Sequence, residues 1–173
     1  QLNTQLLGPL KQILTALGQG NRINSFSKTE GNALLIKDET LTDLSQQITA
    51  VASQNQQLAP IAGLLGQLYG QVRHASQNDL FVLGTSSVIG TTSTAPIFAN
   101  VPSPYKELFS KIGVTFALED KYVLIPSEQR EIKTATDKFN DAIYAAARSK
   151  KLAIADMNAI MGYLTGGIRL GDG

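Results

Sequence analysis

The sequence predicts a single α/β domain, and three observations lead there. Apolar residues make up 43% of the 173 positions and charged residues 17%, a balance that supports a sizeable core without a disordered or highly charged stretch. Helical periodicity and short extended runs alternate along the chain. Near its end the order is helix, strand, helix over 127–149, 152–155 and 157–164. Short crossovers of this kind return successive strands in the same direction, so parallel strands are expected.

The first helix is expected up to about Ala16, because Leu6, Leu10, Ile13 and Leu17 recur at helical spacing. Gly8-Pro9 marks a kink, since proline removes a donor and crowds the preceding turn. Gly18-Gln19-Gly20-Asn21 ends the helix, and Ala33 to Ile36 reads as a strand after a Glu30-Gly31-Asn32 turn. Thr40-Leu41-Thr42-Asp43 resembles a capping box, with Leu41, Leu44, Ile48 and Val51 as the stripe behind it. After the polar run 53–57, Pro60 opens another helix, with Ile61, Leu65, Leu68 and Val72 on one face. Residues 41–74 thus predict a helical hairpin.

Leu80 to Leu83 has the length of a buried strand, and the Gly-, Ser-, Thr- and Pro-rich segment 84–104 reads as loop. Tyr105 to Ile112 is expected as a short helix and Tyr122 to Ile125 as a short extended piece. The clearest helix, 127–149, has Ser127 to cap it and Glu128 and Glu131 at the positive end of its dipole. Its expected buried stripe is Ile132, Ala135, Phe139, Ala142, Ile143 and Ala146.

Fifteen basic and fourteen acidic side chains nearly cancel, and no basic cluster exceeds Lys150-Lys151, so nucleic-acid binding has no electrostatic support. The chain has no cysteine, which removes disulfides, thiol nucleophiles and Cys-based metal sites together. One histidine and dispersed carboxylates leave no ligand set for zinc or iron, and no cofactor is expected. No apolar run approaches the roughly 20 residues that span a bilayer, and no signal-peptide pattern is recognised. The chain starts inside the apolar-periodic segment at Gln1 and stops in a turn at Gly171-Asp172-Gly173, which reads as part of a longer protein.

The stretch "SQNDLFVLGTSSVIG", residues 76–90, invites a reading as a serine hydrolase site, with His74 just upstream. A nucleophile elbow needs small residues on both sides of the serine. Gly84 precedes Ser86, but Val88 stands where the second glycine belongs, and a polar loop rather than a helix follows. Ser86 and Ser87 therefore read as loop residues. His74 is a general base by residue type, but it falls at the end of an apolar-striped helix beside Arg73. An oxyanion-hole asparagine usually follows a strand, whereas Asn78-Asp79 precedes one and reads as a cap or turn. Asp156, at the end of the 152–155 strand, is placed either as a site acid or as the cap of the next helix, the cap being favoured. Gly166-Gly167 and Gly171-Asp172-Gly173 lack the spacing of a phosphate loop and read as turns.

The segment "LEDKYVLIPSEQREIKTATDKFNDAIYAAARSKKLAIADMNAIM", residues 118–161, resembles the C-terminal part of the SGNH or GDSL-type lipase/acylhydrolase-like proteins of Bacteroidetes cell envelopes. The matching features are Tyr-Val-Leu before a long helix, Ala135-Thr136 and Asn140 within it, and a strand ending in Asp156. "NDLFVLGTSSVIGT" and "EGNALLIKDETLTDLS" (residues 30–45) are similar to further blocks of the family. The resemblance implies a partial three-layer α/β/α, flavodoxin-like domain with the 41–74 hairpin as an additional, cap-like insertion. It implies part of an ester (lipid or acyl) hydrolase that supplies scaffold and substrate wall. The family's Gly-Asp-Ser, Gly-x-Asn-Asp and Asp-x-x-His motifs do not occur here, so no catalytic residue carries over. The alternative is a non-catalytic SGNH-like subunit or binding module of a cell-envelope complex. Either way the resemblance implies an extracytoplasmic, envelope-associated location. The expected partner is the remainder of the same polypeptide or an envelope complex.

Overall fold

The computed structural model describes residues 2–167; the turn expected at Gly171–Gly173 lies outside them. The fold mixes helices with small sheets, in agreement with the α/β expectation, and the chain forms two compact units, Gln1–Pro126 and Ser127–Gly173.

The first unit opens on a π-turn, Asn3–Leu7, that runs into α1 (Gly8–Ala16). The expected kink takes this form because Pro9 has no N–H to give the preceding turn. The Gly8 N–H bonds the Asn3 carbonyl five residues back, and a Cβ on Gly8 would overlap that oxygen. Leu6, Leu7, Leu10, Ile13 and Leu14 are buried. Gly18, at φ +72°, ends α1: its N–H bonds Thr15 O and the Gln19 N–H bonds Leu14 O, the Schellman arrangement of a left-handed cap.

β1 (Leu35–Lys37) leads to α2 (Ser45–Ser53) and α3 (Ala62–Tyr69). The first of these helices starts later than Thr40–Asp43 because local side-chain bonds hold that segment as turns. Asp38 accepts from the Thr40 N–H and Oγ1–H, and Asp43 Oδ1 accepts from the Ser45 N–H and Oγ–H. Two glycines, Gly66 on the second helix and Gly70 at its C-cap, set how closely the hairpin packs. A Cβ at Gly66 would overlap Thr49 Oγ1 and the Ser45 carbonyl, and one at Gly70 would overlap Ser45 Oγ and Asp43 Oδ1.

Val72, expected on the helix, begins β2 (Val72–His74) instead. Tertiary bonds claim the backbone there: the Leu44 N–H donates to Gly70 O and the Asp38 N–H to Gln71 O. β2 pairs antiparallel with β1, Leu35 opposite His74 and Lys37 opposite Val72. The expectation of parallel strands is thereby corrected. A single-helix crossover brings the next strand back parallel, but two antiparallel helices add one more reversal. β3 (Leu80–Phe81) and β4 (Val123–Leu124) are likewise antiparallel, and Ile36 makes one parallel bridge, to Leu118.

The run at 80–83 also departs from expectation. Leu80, Phe81, Val82 and Leu83 are 54, 40, 53 and 101% exposed, because a two-stranded sheet leaves a face uncovered. The loop 84–104 contains two 3-10 turns, Thr85–Ser87 and Pro96–Phe98. Phe98 is buried edge-on to Phe116, with centroids 5.2 Å apart. α4 (Tyr105–Phe109) is shorter than expected and buries Phe109 beside Tyr69. The helices, β1 and β2 share one core, and Ile36, Leu118, Val123 and Ile125 form a smaller one.

The second unit consists of α5 (Pro126–Lys150) and α6 (Met157–Gly166). The long helix forms as expected, but its apolar stripe is not buried. Ile132, Phe139 and Ile143 are 53, 70 and 57% exposed, and Ala147 is the buried residue. Segment 152–155 forms no strand; its approach is a helix end with Lys151 at φ 57° and the Leu152 N–H bonded to Ala147 O.

The hairpin geometry predicts opposite effects for two glycines on one helix. Gly66→Ala should cost about 2–3 kcal/mol by overpacking against a backbone carbonyl. Gly63→Ala, with nothing within 4 Å of the added methyl, should be neutral or stabilise by about 0.5–1 kcal/mol. Urea midpoints of the two variants check this.

Candidate functional site

The structure scatters the residues that made 76–90 look catalytic. Ser86 and Ser87 are exposed in their 3-10 turn, and the Ser87 Oγ–H donates to Gly84 O. No hydrogen bond from an imidazole reaches either serine among the described residues. His74 lies on β2 rather than at a helix end, and is 9% exposed. Its Nδ1 accepts from the Asn24 N–H at 2.9 Å, and its ring stacks on Phe26 with centroids 5.8 Å apart. An acceptor at Nδ1 places the proton of the neutral ring on Nε2, which is buried without a hydrogen-bond partner. Burial, with Lys11 adding to it, lowers the His74 pKa. A base must be reachable and hold a free lone pair; this imidazole is spent on the backbone.

Asp79 turns the chain, as expected of it, and also enters a network that sequence reasoning missed. Arg73 is at its centre. Its Nη1 and Nη2 donate to Asp79 Oδ2 and Oδ1 at 2.8 and 2.7 Å, and its Nε donates to Asp38 Oδ2 at 2.6 Å. Asp79 Oδ2 also accepts from the Ser76 N–H and Oγ–H at 2.7 and 2.9 Å. Burial alone would raise the Asp79 carboxyl, but the bonds from Arg73 and Ser76 outweigh it and hold the pKa at about 2. Asp38 is likewise held below the usual carboxylate range, its bonds from Thr40 and Arg73 outweighing burial. The hydrogen bonds to Asp79 lead in raising the Arg73 pKa, against desolvation. Each carboxylate oxygen of Asp38 and Asp79 accepts at least one hydrogen bond, so the network ties chain segments together.

A second buried arginine, Arg22, donates through Nη1 to the Thr42 and Gly70 carbonyls, each at 3.1 Å. It is 5% exposed, and burial lowers its pKa. In the sequence, arginines and aspartates on separate segments carried no spacing signal; only the fold brings them together. Asp156 is the N-cap of the last helix, accepting from the Ala159 N–H at 2.8 Å, and it also accepts from the Tyr144 hydroxyl. The cap reading is the correct one. Gly167, at φ +83°, follows that helix as a turn residue.

A cleft of about 350 Å³ lies in the first unit. Leu68, Val72 and Phe116 give it apolar walls, and Asp43, Ser45 and Glu119 give it polar ones. The one serine–carboxylate contact in it, Ser45 Oγ to Asp43 Oδ1 at 2.5 Å, has no imidazole. Among the described residues, no group of three or more acidic or histidine side chains is placed to hold a metal ion. No helix among them is long and apolar enough to cross a membrane.

Comparison with known protein families, with curated proteins and with solved structures finds no match.

The arginine network predicts an acid-sensitive fold. Asp38 and Asp79 have depressed pKa values in the folded state, so their stabilisation is complete above the unfolded carboxylate value near 4 and fades as pH falls toward 2. Arg73→Met should cost about 3 kcal/mol at pH 7, because it leaves two carboxylates without their cation. It should also flatten the loss of stability between about pH 4 and 2. Urea unfolding across that range checks both effects.

Proposed function

We propose that this chain is a non-catalytic binding or assembly module whose contact element is the second unit. One observation carries the reading. α5 runs for 25 residues, yet it buries a single side chain and leaves Ile132, Phe139 and Ile143 in solvent along one face. An amphipathic helix gains most of its stability from packing that face. A contiguous apolar face in solvent marks an interaction surface. The first unit supports the same view, since its histidine and its buried carboxylates serve the fold.

A second reading rests on the resemblance of residues 118–161, 78–91 and 30–45 to SGNH-type proteins. On it, the chain is the scaffold and substrate-wall portion of a three-layer ester hydrolase. Its serine and histidine machinery would lie on other parts of the polypeptide. Envelope association belongs to both readings and rests on the resemblance alone. The two differ in the intact mass of the natural protein. A mass near 18.5 kDa favours the module, and a much larger one with Gly-Asp-Ser upstream and Asp-x-x-His downstream favours the hydrolase portion.

Both readings predict that the 173-residue chain does not hydrolyse short p-nitrophenyl esters above the buffer rate. Turnover that is lost in Ser86→Ala or Ser87→Ala would contradict them.

A further inference from the structure

The exposed face of α5 is self-complementary. At 100° per residue, the positions within about 60° of Phe139 are Glu128, Ile132, Ala135, Thr136, Ala142, Ile143, Ala146 and Lys150. An antiparallel copy crossing at Phe139 brings together residues whose numbers are symmetric about it. Ile132 then faces Ala146, Ala135 faces Ile143, Thr136 faces Ala142, and Phe139 faces its own copy. Ile132 and Ile143 each meet an alanine, and the two Phe139 rings meet each other at the centre of the seam. The same register sets Glu128, half-buried at one end of the stripe, toward Lys150 at the other, twice by symmetry. A parallel pair would instead place Lys150 beside Lys150 and Glu128 beside Glu128. The back of the helix, with Arg130, Asp137, Asp141 and Arg148, stays in water.

We propose that the partner of α5 is a second copy of this chain, docked antiparallel through Ile132, Phe139 and Ile143 about a two-fold axis at Phe139. The proposal rests on the module reading above and names its partner. A two-fold contact of one patch with itself is closed, so it gives a dimer and no larger array. One helix seam is smaller than the roughly 800 Å² per partner of a standard interface, so the dimer is weak, with Kd on the order of 10–100 µM.

Sedimentation equilibrium of the full chain from about 1 to 300 µM tests this, with far-UV circular dichroism as the check on folding. A monomer–dimer equilibrium is expected. Phe139→Glu should raise Kd at least about tenfold. Glu128→Lys should raise it severalfold, and adding Lys150→Glu should restore it, a rescue that lost folding does not mimic. Orientation is read from a nitroxide at Ser149→Cys, clean because the natural chain has no cysteine. Antiparallel pairing puts the two labels about 30 Å apart along the axis, and parallel pairing about 10 Å apart. A monomer at every concentration, a Kd unmoved by Phe139→Glu, or the short label distance would each overturn the proposal. None of these results would bring esterase activity with it, so the module reading stands or falls separately on turnover.

Discussion

The first unit depends on the grip of one arginine on two carboxylates. Arg73 leaves β2 and binds Asp38, just past β1, and Asp79, in the turn that launches β3. Three segments that the sheets alone pair over only two or three residues are thereby fixed to one planar fork. Such short ladders contribute little register of their own. The bidentate geometry fixes both distance and angle, which a lysine at this position would not. It also explains why the turn 76–79 holds its shape: Asp79 satisfies Ser76 at the same oxygen that Arg73 holds.

Around this clamp, the polar groups that most resemble catalytic machinery are used up. His74 gives its only lone pair to the Asn24 amide, which anchors the chain between α1 and β1 to β2. Arg22 donates to the Thr42 carbonyl and to the Gly70 carbonyl, which also accepts from the Leu44 N–H. Tyr69, fully buried, donates its hydroxyl to Thr115 O at 2.5 Å, and burial raises its pKa. These contacts link the 22–24 segment, α3, β2 and Thr115 through hydrogen bonds that a small core does not supply by packing alone. The second unit has the opposite character, with much of its apolar surface exposed.

Much of the local structure was readable from residue order. Apolar spacing located α1, α2, α3 and α5, because helical periodicity is a local property. Gly18 marked the end of α1 and Asp156 the start of α6, because caps act within one turn. What the sequence misplaced depends on distant partners. Val72 to His74 continues a helical pattern but pairs with Leu35 to Lys37, a choice made by residues 35 to 39 positions away. The antiparallel direction follows from the close packing of two helices through Gly66 and Gly70, which composition does not reveal. Apolar content also says only that burial is favourable. Leu80 to Leu83 and the stripe on α5 have the right residues for a core, and the fold leaves both in solvent.

The chain's one histidine is structural, with its Nδ1 held by the Asn24 N–H and its ring buried. Nitrogen-15 and proton NMR of His74 tests it most directly, with no other imidazole in the spectrum. A neutral ring protonated at Nε2, with Nδ1 as acceptor, is expected, with its pKa below the ordinary imidazole value because of burial. A ring that titrates freely near 6.5, or that carries its proton on Nδ1, would contradict it.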